Sequence, residues 1–172
     1  MSGGNMVVID QLKTGKSATY TASCSGKPDE DVTKNDGVFF SFLWKDASSN
    51  IKFEVETPDG KSTGELSEGS GILKTGQYKI FYSREVSPKG TVMMKFGAST
   101  QDSDIVRGKF KIKLTSDKDQ EIRGYVVDVT QSWSGNARWV NSNAITDESN
   151  ICFPSTADSC MAIGAYVFNV GW

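Results

Sequence analysis

The chain has 172 residues, of which 19 are basic and 21 are acidic, so its net charge at neutral pH is −2. This balance, with no basic cluster, argues against a surface that holds nucleic acid or anionic lipid. No run of about 18 apolar residues occurs, so we expect no transmembrane span. The length suits a domain of ordinary size. Residues 1–10 lack the basic and apolar blocks of a signal peptide.

Short segments with alternating apolar and polar residues recur up to residue 129, and none has sustained helical periodicity. Alternation with a period of two predicts strands with one buried face. Turn signals such as Pro58–Lys61 separate them. Seven or eight such strands predict an all-β fold, an antiparallel β-sandwich or jelly roll, over residues 1–130. The segments are Tyr20–Cys24, Val38–Trp44, Ile51–Glu56, Tyr78–Tyr82, Thr91–Phe96, Phe110–Leu114 and Ile122–Val129.

Residues 131–172 show a different pattern. Thr130–Asn150 is rich in Ser and Asn and is predicted to be a long connection. It leads to Ile151–Trp172, in which the apolar run Met161–Val167 is broken only by Gly164. Such a run is typical of a strand buried on both faces, as in a parallel α/β sheet. We therefore expect this C-terminal strand to belong to the core of a larger protein.

Isolated from that core, the C-terminal strand would expose apolar side chains and unpaired edges. We expect it to dock on the sandwich, to exchange between chains or to drive dimerisation.

Catalytic and metal chemistry is restricted by the absence of histidine from the whole chain. A Ser-His-Asp or Cys-His arrangement cannot be assembled, and imidazole metal sites are excluded. The carboxylates cluster in turns, at Asp29–Asp31, Asp102–Asp104 and Asp117–Asp119. We interpret them as solvated loop acids. Calcium binding by one of these loops is the alternative, because carboxylate oxygens suit that ion.

The three cysteines and two of the tryptophans each leave alternatives open. Cys24 lies in an alternating strand and is interpreted as a small core residue. Cys152 and Cys160 are eight residues apart and could form a disulfide in an oxidising compartment, although spacing alone cannot decide this. Trp133 and Trp139 could stack on sugar rings, or they could pack over an open edge of the β domain.

The segment Ile151–Tyr166, ICFPSTADSCMAIGAY, resembles a pattern of the subtilisin-like serine proteases (subtilases, peptidase S8 family). In that pattern a P-x-T-A turn precedes V-I-x-V-G-A-Y, a strand of the central parallel sheet. Cys160 and Met161 depart from it but remain apolar. Some bacterial subtilases carry a jelly-roll domain inserted before this strand. Val7–Tyr20 and Gly108–Tyr125 resemble the opening and the end of that insert.

The resemblance implies a short list of site residues. Cys152, Phe153, Pro154 and Ser155 would lie beside the wall of the primary specificity pocket in the parent protease. The carbonyls of Ser155, Ala157 and Cys160 match a weak cation site of some members, so calcium could bind there. The catalytic aspartate, histidine and serine and the oxyanion asparagine have no counterpart, so we expect this chain alone not to hydrolyse peptides.

The function implied by the resemblance is that of a non-catalytic β-sandwich portion of a bacterial serine endopeptidase, secreted or on the cell surface. Its partner would be the rest of the catalytic domain, on which it would pack to shape substrate access. The alternative is a free-standing sandwich that binds carbohydrate or protein at the cell surface.

Overall fold

The computed structural model describes residues 7–24, 37–101, 106–128 and 137–146. Within these ranges the protein is all-β and contains no helix. No helix in this part of the chain could therefore cross a membrane. The predicted C-terminal strand Met161–Val167 lies outside the described residues.

The described ranges contain twelve strands: β1 Val7–Leu12, β2 Ser17–Cys24, β3 Gly37–Trp44, β4 Ile51–Glu56, β5 Ser62–Leu66, β6 Ser70–Thr75, β7 Tyr78–Val86, β8 Val92–Thr100, β9 Gly108–Ser116, β10 Gln120–Asp128, β11 Ala137–Val140 and β12 Ile145–Thr146. In this part of the chain they form two antiparallel sheets. One sheet has the order β12-β1-β10-β3-β8-β7-β6, and the other has the order β11-β2-β9-β4-β5. The predicted antiparallel β-sandwich is thus confirmed.

Strand β9 shows how alternation builds the core. Phe110, Ile112 and Leu114 are completely buried between the sheets. The lysines that alternate with them are exposed. Burying one such side chain stabilises the fold by about 1.5–3 kcal/mol, so the inward register of β9 is strongly favoured over a one-residue slip. Cys24 is also buried in the core, as predicted.

The side chain of Trp139 joins the two sheets. It is completely buried, and its ring centroid lies 6.4 Å from that of Tyr20, 6.0 Å from Phe40 and 5.7 Å from Phe42. Tyr20 belongs to the five-stranded sheet, whereas Phe40 and Phe42 belong to the other. The suggestion that Trp139 stacks on sugars is therefore wrong, because β11 pairs with β2 and directs this side chain inward. Trp133 lies outside the described residues.

The segment predicted as a long connection, Thr130–Asn150, contains two strands that the sequence pattern did not indicate. β11 pairs with β2, and β12 pairs with β1. Both are short edge strands, so their alternation spans too few residues to be recognised. The two sheets therefore contain strands from both sides of the predicted domain boundary at residue 130.

The first and last described strands, β1 and β12, lie next to each other at one side of the seven-stranded sheet. Val7 is the register partner of Thr146, and Val8 is that of Ile145. The backbone N–H of Ile9 donates to the carbonyl of Ala144 at 2.9 Å. The first and last described strands are thus held side by side.

Replacing Trp139 tests the role of the inter-sheet aromatic contact. We expect Trp139→Ala to lower the free energy of unfolding by about 3–5 kcal/mol, because it removes a large ring that touches both sheets. The neighbouring exposed residue provides the control, and Arg138→Ala should change stability by less than about 0.5 kcal/mol. Urea unfolding followed by far-ultraviolet circular dichroism measures both. Equal losses in the two variants would contradict this account of the core.

Candidate interaction surface

The outer face of the five-stranded sheet is polar and ion-paired. Lys111 Nζ lies 2.7 Å from Glu56 Oε1, and Lys113 Nζ lies 3.3 Å from Glu54 Oε2. These pairs join β9 to β4 across the sheet. Exposed pairs of this kind contribute about 0–1 kcal/mol each, and their groups remain hydrated. This face is therefore suited to remain exposed to solvent.

The outer face of the seven-stranded sheet carries an apolar row that crosses five strands. We call it the aromatic row, and each member is the register partner of the next. Phe81 faces outward because its neighbours in β7, Ile80 and Tyr82, pack in or against the core. The row consists of Val127 in β10, Phe39 in β3, Gly97 in β8, Phe81 in β7 and Ile72 in β6.

Gly97 allows the two rings of the row to meet. A Cβ atom at position 97 would overlap the ring of Phe81, which lies directly over this glycine. The ring centroids of Phe39 and Phe81 are 5.5 Å apart, with the planes inclined at 62°. This is an edge-to-face contact, the favourable geometry for aromatic pairs. It spans the intervening strand β8, so the rings form one continuous surface.

The aromatic row is open to solvent toward β6. Ile72 is 73% exposed, Phe39 is 39% exposed and Phe81 is 37% exposed. Single exposed apolar residues are ordinary, but a contiguous group of large ones marks an interaction site. At the opposite side of the same sheet, Val7 is fully buried. Ile72, in the edge strand β6, is thus the most exposed of these side chains.

Positive charge lies beside the exposed end of the row. Lys74 and Lys79 are register partners in β6 and β7, and both side chains are exposed. Neither has an ion-pair partner within the described ranges. Like charges directly opposite each other destabilise a strand pair. On the other side of the row, Lys95 is neutralised by Glu85 at 2.9 Å.

The site residues implied by the family resemblance all lie outside the described residues. This applies to Cys152, Phe153, Pro154 and Ser155 at the expected pocket wall, and to Ala157 and Cys160 at the expected cation site. The pocket wall and the cation site remain predictions, and the pairing of Cys152 with Cys160 remains open.

Of the three acidic turns, only Asp117–Asp119 is described, and its carboxylates bind the protein itself. Asp119 accepts hydrogen bonds from Lys13 Nζ, Thr14 N and Thr14 Oγ1, each at 2.9 Å. Asp117 accepts one from the backbone N–H of Asn50 at 2.8 Å. No group of three or more acidic or cysteine side chains that could hold a metal occurs among the residues described. The turn therefore has a structural role, because it is hydrogen-bonded to residues 13–14 and to Asn50.

The contacts of Asp119 predict an acid-dependent loss of stability. Hydrogen bonds from Lys13 and Thr14 lower the pKa of Asp119 to about 2. A depressed carboxyl pKa stabilises the fold above the unfolded value of about 4, and this contribution is lost as the pH falls from about 4 toward 2. We expect Asp119→Asn to be less stable than the natural chain at pH 7, and the gap to close near pH 2. Urea midpoints at both pH values measure it, and a gap independent of pH would contradict it.

The aromatic row was not predicted from the sequence, although one signal was present. Val38–Trp44 is apolar at nearly every position, and Phe81 interrupts the alternation of Tyr78, Ile80 and Tyr82. Such strands have apolar side chains on both faces. The sequence pattern could therefore have indicated a second apolar surface. It could not have indicated which residues contact one another on that surface.

The comparisons with known proteins concern the fold. No protein-family profile matches the chain, and no curated protein sequence matches it. Among solved structures, the fold is shared with part of a protease. That structure is the CspB protease of Clostridium perfringens, with a TM-score of 0.71 and 18% sequence identity. The similarity covers 96% of this chain and 32% of the protease, so the chain spans about a third of that protein's length.

Proposed function

We propose that this chain is the non-catalytic β-sandwich portion of a secreted subtilisin-like serine endopeptidase, which packs on the catalytic domain and shapes substrate access. The observation that supports this most directly is the similarity to the CspB protease, which extends over almost the whole chain. About two thirds of that protease remains outside the matched region, enough for a separate catalytic domain. The resemblance of Ile151–Tyr166 to a subtilase strand points to the same class of parent.

The paired ends of the sandwich support its role as an insert. Val7 and Thr146 are register partners, so both connections to a host domain would leave from one place. Domains whose ends lie close together can be inserted into a loop without separating the host's strands. In the proposed parent, the chain leaves the sandwich after Thr146 and continues to Met161–Val167 as a strand of the host's parallel sheet.

The catalytic groups would come from the rest of the parent. Peptide hydrolysis by this class needs a nucleophile, a histidine base, an orienting carboxylate and an oxyanion donor. This chain contains no histidine, so the base must lie elsewhere. In this proposal the chain contributes Cys152–Ser155 beside the substrate pocket. The carbonyls of Ser155, Ala157 and Cys160 would form a weak cation site that could take calcium.

The rigidity of the sandwich suits it to limit access to an active site. Its core is an interlocked aromatic cluster in which Trp139 and Phe53 each contact rings from the opposite sheet. A body packed in this way does not yield when a folded protein substrate approaches. A short peptide would pass the sandwich and reach the active site unhindered. The sandwich would therefore affect large substrates more than small ones.

Removing the sandwich from the parent tests this function. The variant lacks residues 8–145, with Val7 and Thr146 joined by a short Gly/Ser linker. Because the sandwich limits access of large substrates, we expect its removal to raise the ratio of kcat/KM for a folded protein to kcat/KM for a short peptide. The expected rise is about tenfold, or ~1.4 kcal/mol. The matched control replaces the parent's catalytic serine with alanine, which should abolish cleavage of both substrates.

Two results would contradict the proposal. One is a complete gene without the aspartate, histidine and serine motifs of a subtilase. The other is a deletion variant that folds and cleaves folded proteins as the intact parent does.

A further inference from the structure

We propose that the aromatic row, with Lys74 and Lys79 at its margin, is the surface through which the sandwich contacts the catalytic domain of its own parent chain. This inference rests on the proposed function and adds the face that is used. The partner surface it requires is apolar, with a carboxylate placed to meet the two lysines.

The first support is the difference between the two outer faces. The five-stranded sheet presents paired charges such as Lys111 with Glu56. Burying them would remove their hydration without a new partner. The seven-stranded sheet presents the Phe39–Phe81 pair and Ile72. Removing these apolar side chains from water carries no desolvation penalty and is itself favourable. A sandwich that docks by one face would therefore use the seven-stranded sheet.

The second support is the position of the row relative to the ends of the sandwich. Val7 pairs with both Thr146 and Tyr125, and Tyr125 precedes the row residue Val127 by two positions along β10. The row therefore starts next to the strands through which the sandwich joins its parent. A domain tethered there is held at a high effective concentration beside the row. A modest apolar patch then suffices for a stable contact.

The third support is the charge at the exposed end. Lys74 and Lys79 face each other across β6 and β7, and in the described part of the chain they have no acidic partner. Their mutual repulsion is relieved if a carboxylate of the docked surface lies between them. This contact would also fix the direction in which the partner lies on the row.

The test compares thiol labelling in the 172-residue chain and in the complete parent. Ile72→Cys reports on the aromatic row, and Lys109→Cys reports on the exposed outer face of the other sheet. Peptide mapping separates these positions from the natural cysteines. We expect labelling at position 72 to be slower by about tenfold or more in the parent than in the chain alone, a change that corresponds to ~1.4 kcal/mol. Labelling at position 109 should be the same in both.

A second variant tests the lysine pair. Lys79→Glu, added to Ile72→Cys, should leave the thermal midpoint of the chain unchanged or raised, because it removes the repulsion with Lys74. In the parent it should restore fast labelling at position 72. Lys109→Glu, added to the same cysteine variant, is the matched charge control and should leave the protection intact.

The outcomes separate this inference from the proposed function. A parent without a subtilase catalytic domain would overturn both. A parent with that domain, in which positions 72 and 109 are labelled as fast as in the chain alone, would overturn this inference only. Protection of position 72 that appears in the chain alone as its concentration rises would show that a second copy occupies the row, which also overturns it. Failure of Lys79→Glu to restore labelling would overturn the role of the lysines.

Discussion

The packing of Trp139 between the sheets is the contact on which the rest of the structure depends. β11 has four residues and lies at the edge of its sheet, so its backbone pairing with β2 alone would hold it weakly. The buried indole ring of Trp139 packs against Phe40 and Phe42 of the opposite sheet and so holds β11 in place. A contact of about 3–5 kcal/mol is a large share of a domain stability of about 5–15 kcal/mol. Residues 141–144 connect β11 to β12, so this contact also restrains the last described strand, which pairs with β1.

The sequence pattern anticipated the strands that have one buried face and missed those whose place is set by the tertiary structure. β9 alternates from Lys109 to Ser116 because one face meets the core and the other meets water. β11 and β12 are too short to show a period, and they become strands only because β2 and β1 offer free edges. The environment of Trp139 was likewise open, since an aromatic residue in a polar segment can face either way. Only the pairing with β2 decides it.

The aromatic row shows the limit of sequence reasoning about function. Phe39 and Phe81 are separated by 42 positions in the chain, and they meet because β3 and β7 flank the same strand, β8. Strand order is a global property, and nothing local to either residue specifies it. The residues implied by the subtilase resemblance come from a different source, a motif of contiguous residues at 151–166. That motif depends on local sequence, whereas the fold shared with part of the CspB protease depends on the order and pairing of the strands.

The pairing of Val7 with Thr146 has a consequence for how the sandwich can be moved between proteins. Register partners in antiparallel strands lie about 4.5–5.5 Å apart, which is the separation of the two residues that flank a tight hairpin turn. The sandwich can therefore take the place of such a turn in an unrelated host with little distortion at the junction. A junction at Val7 and Thr146 is therefore geometrically equivalent to the two ends of a single hairpin turn.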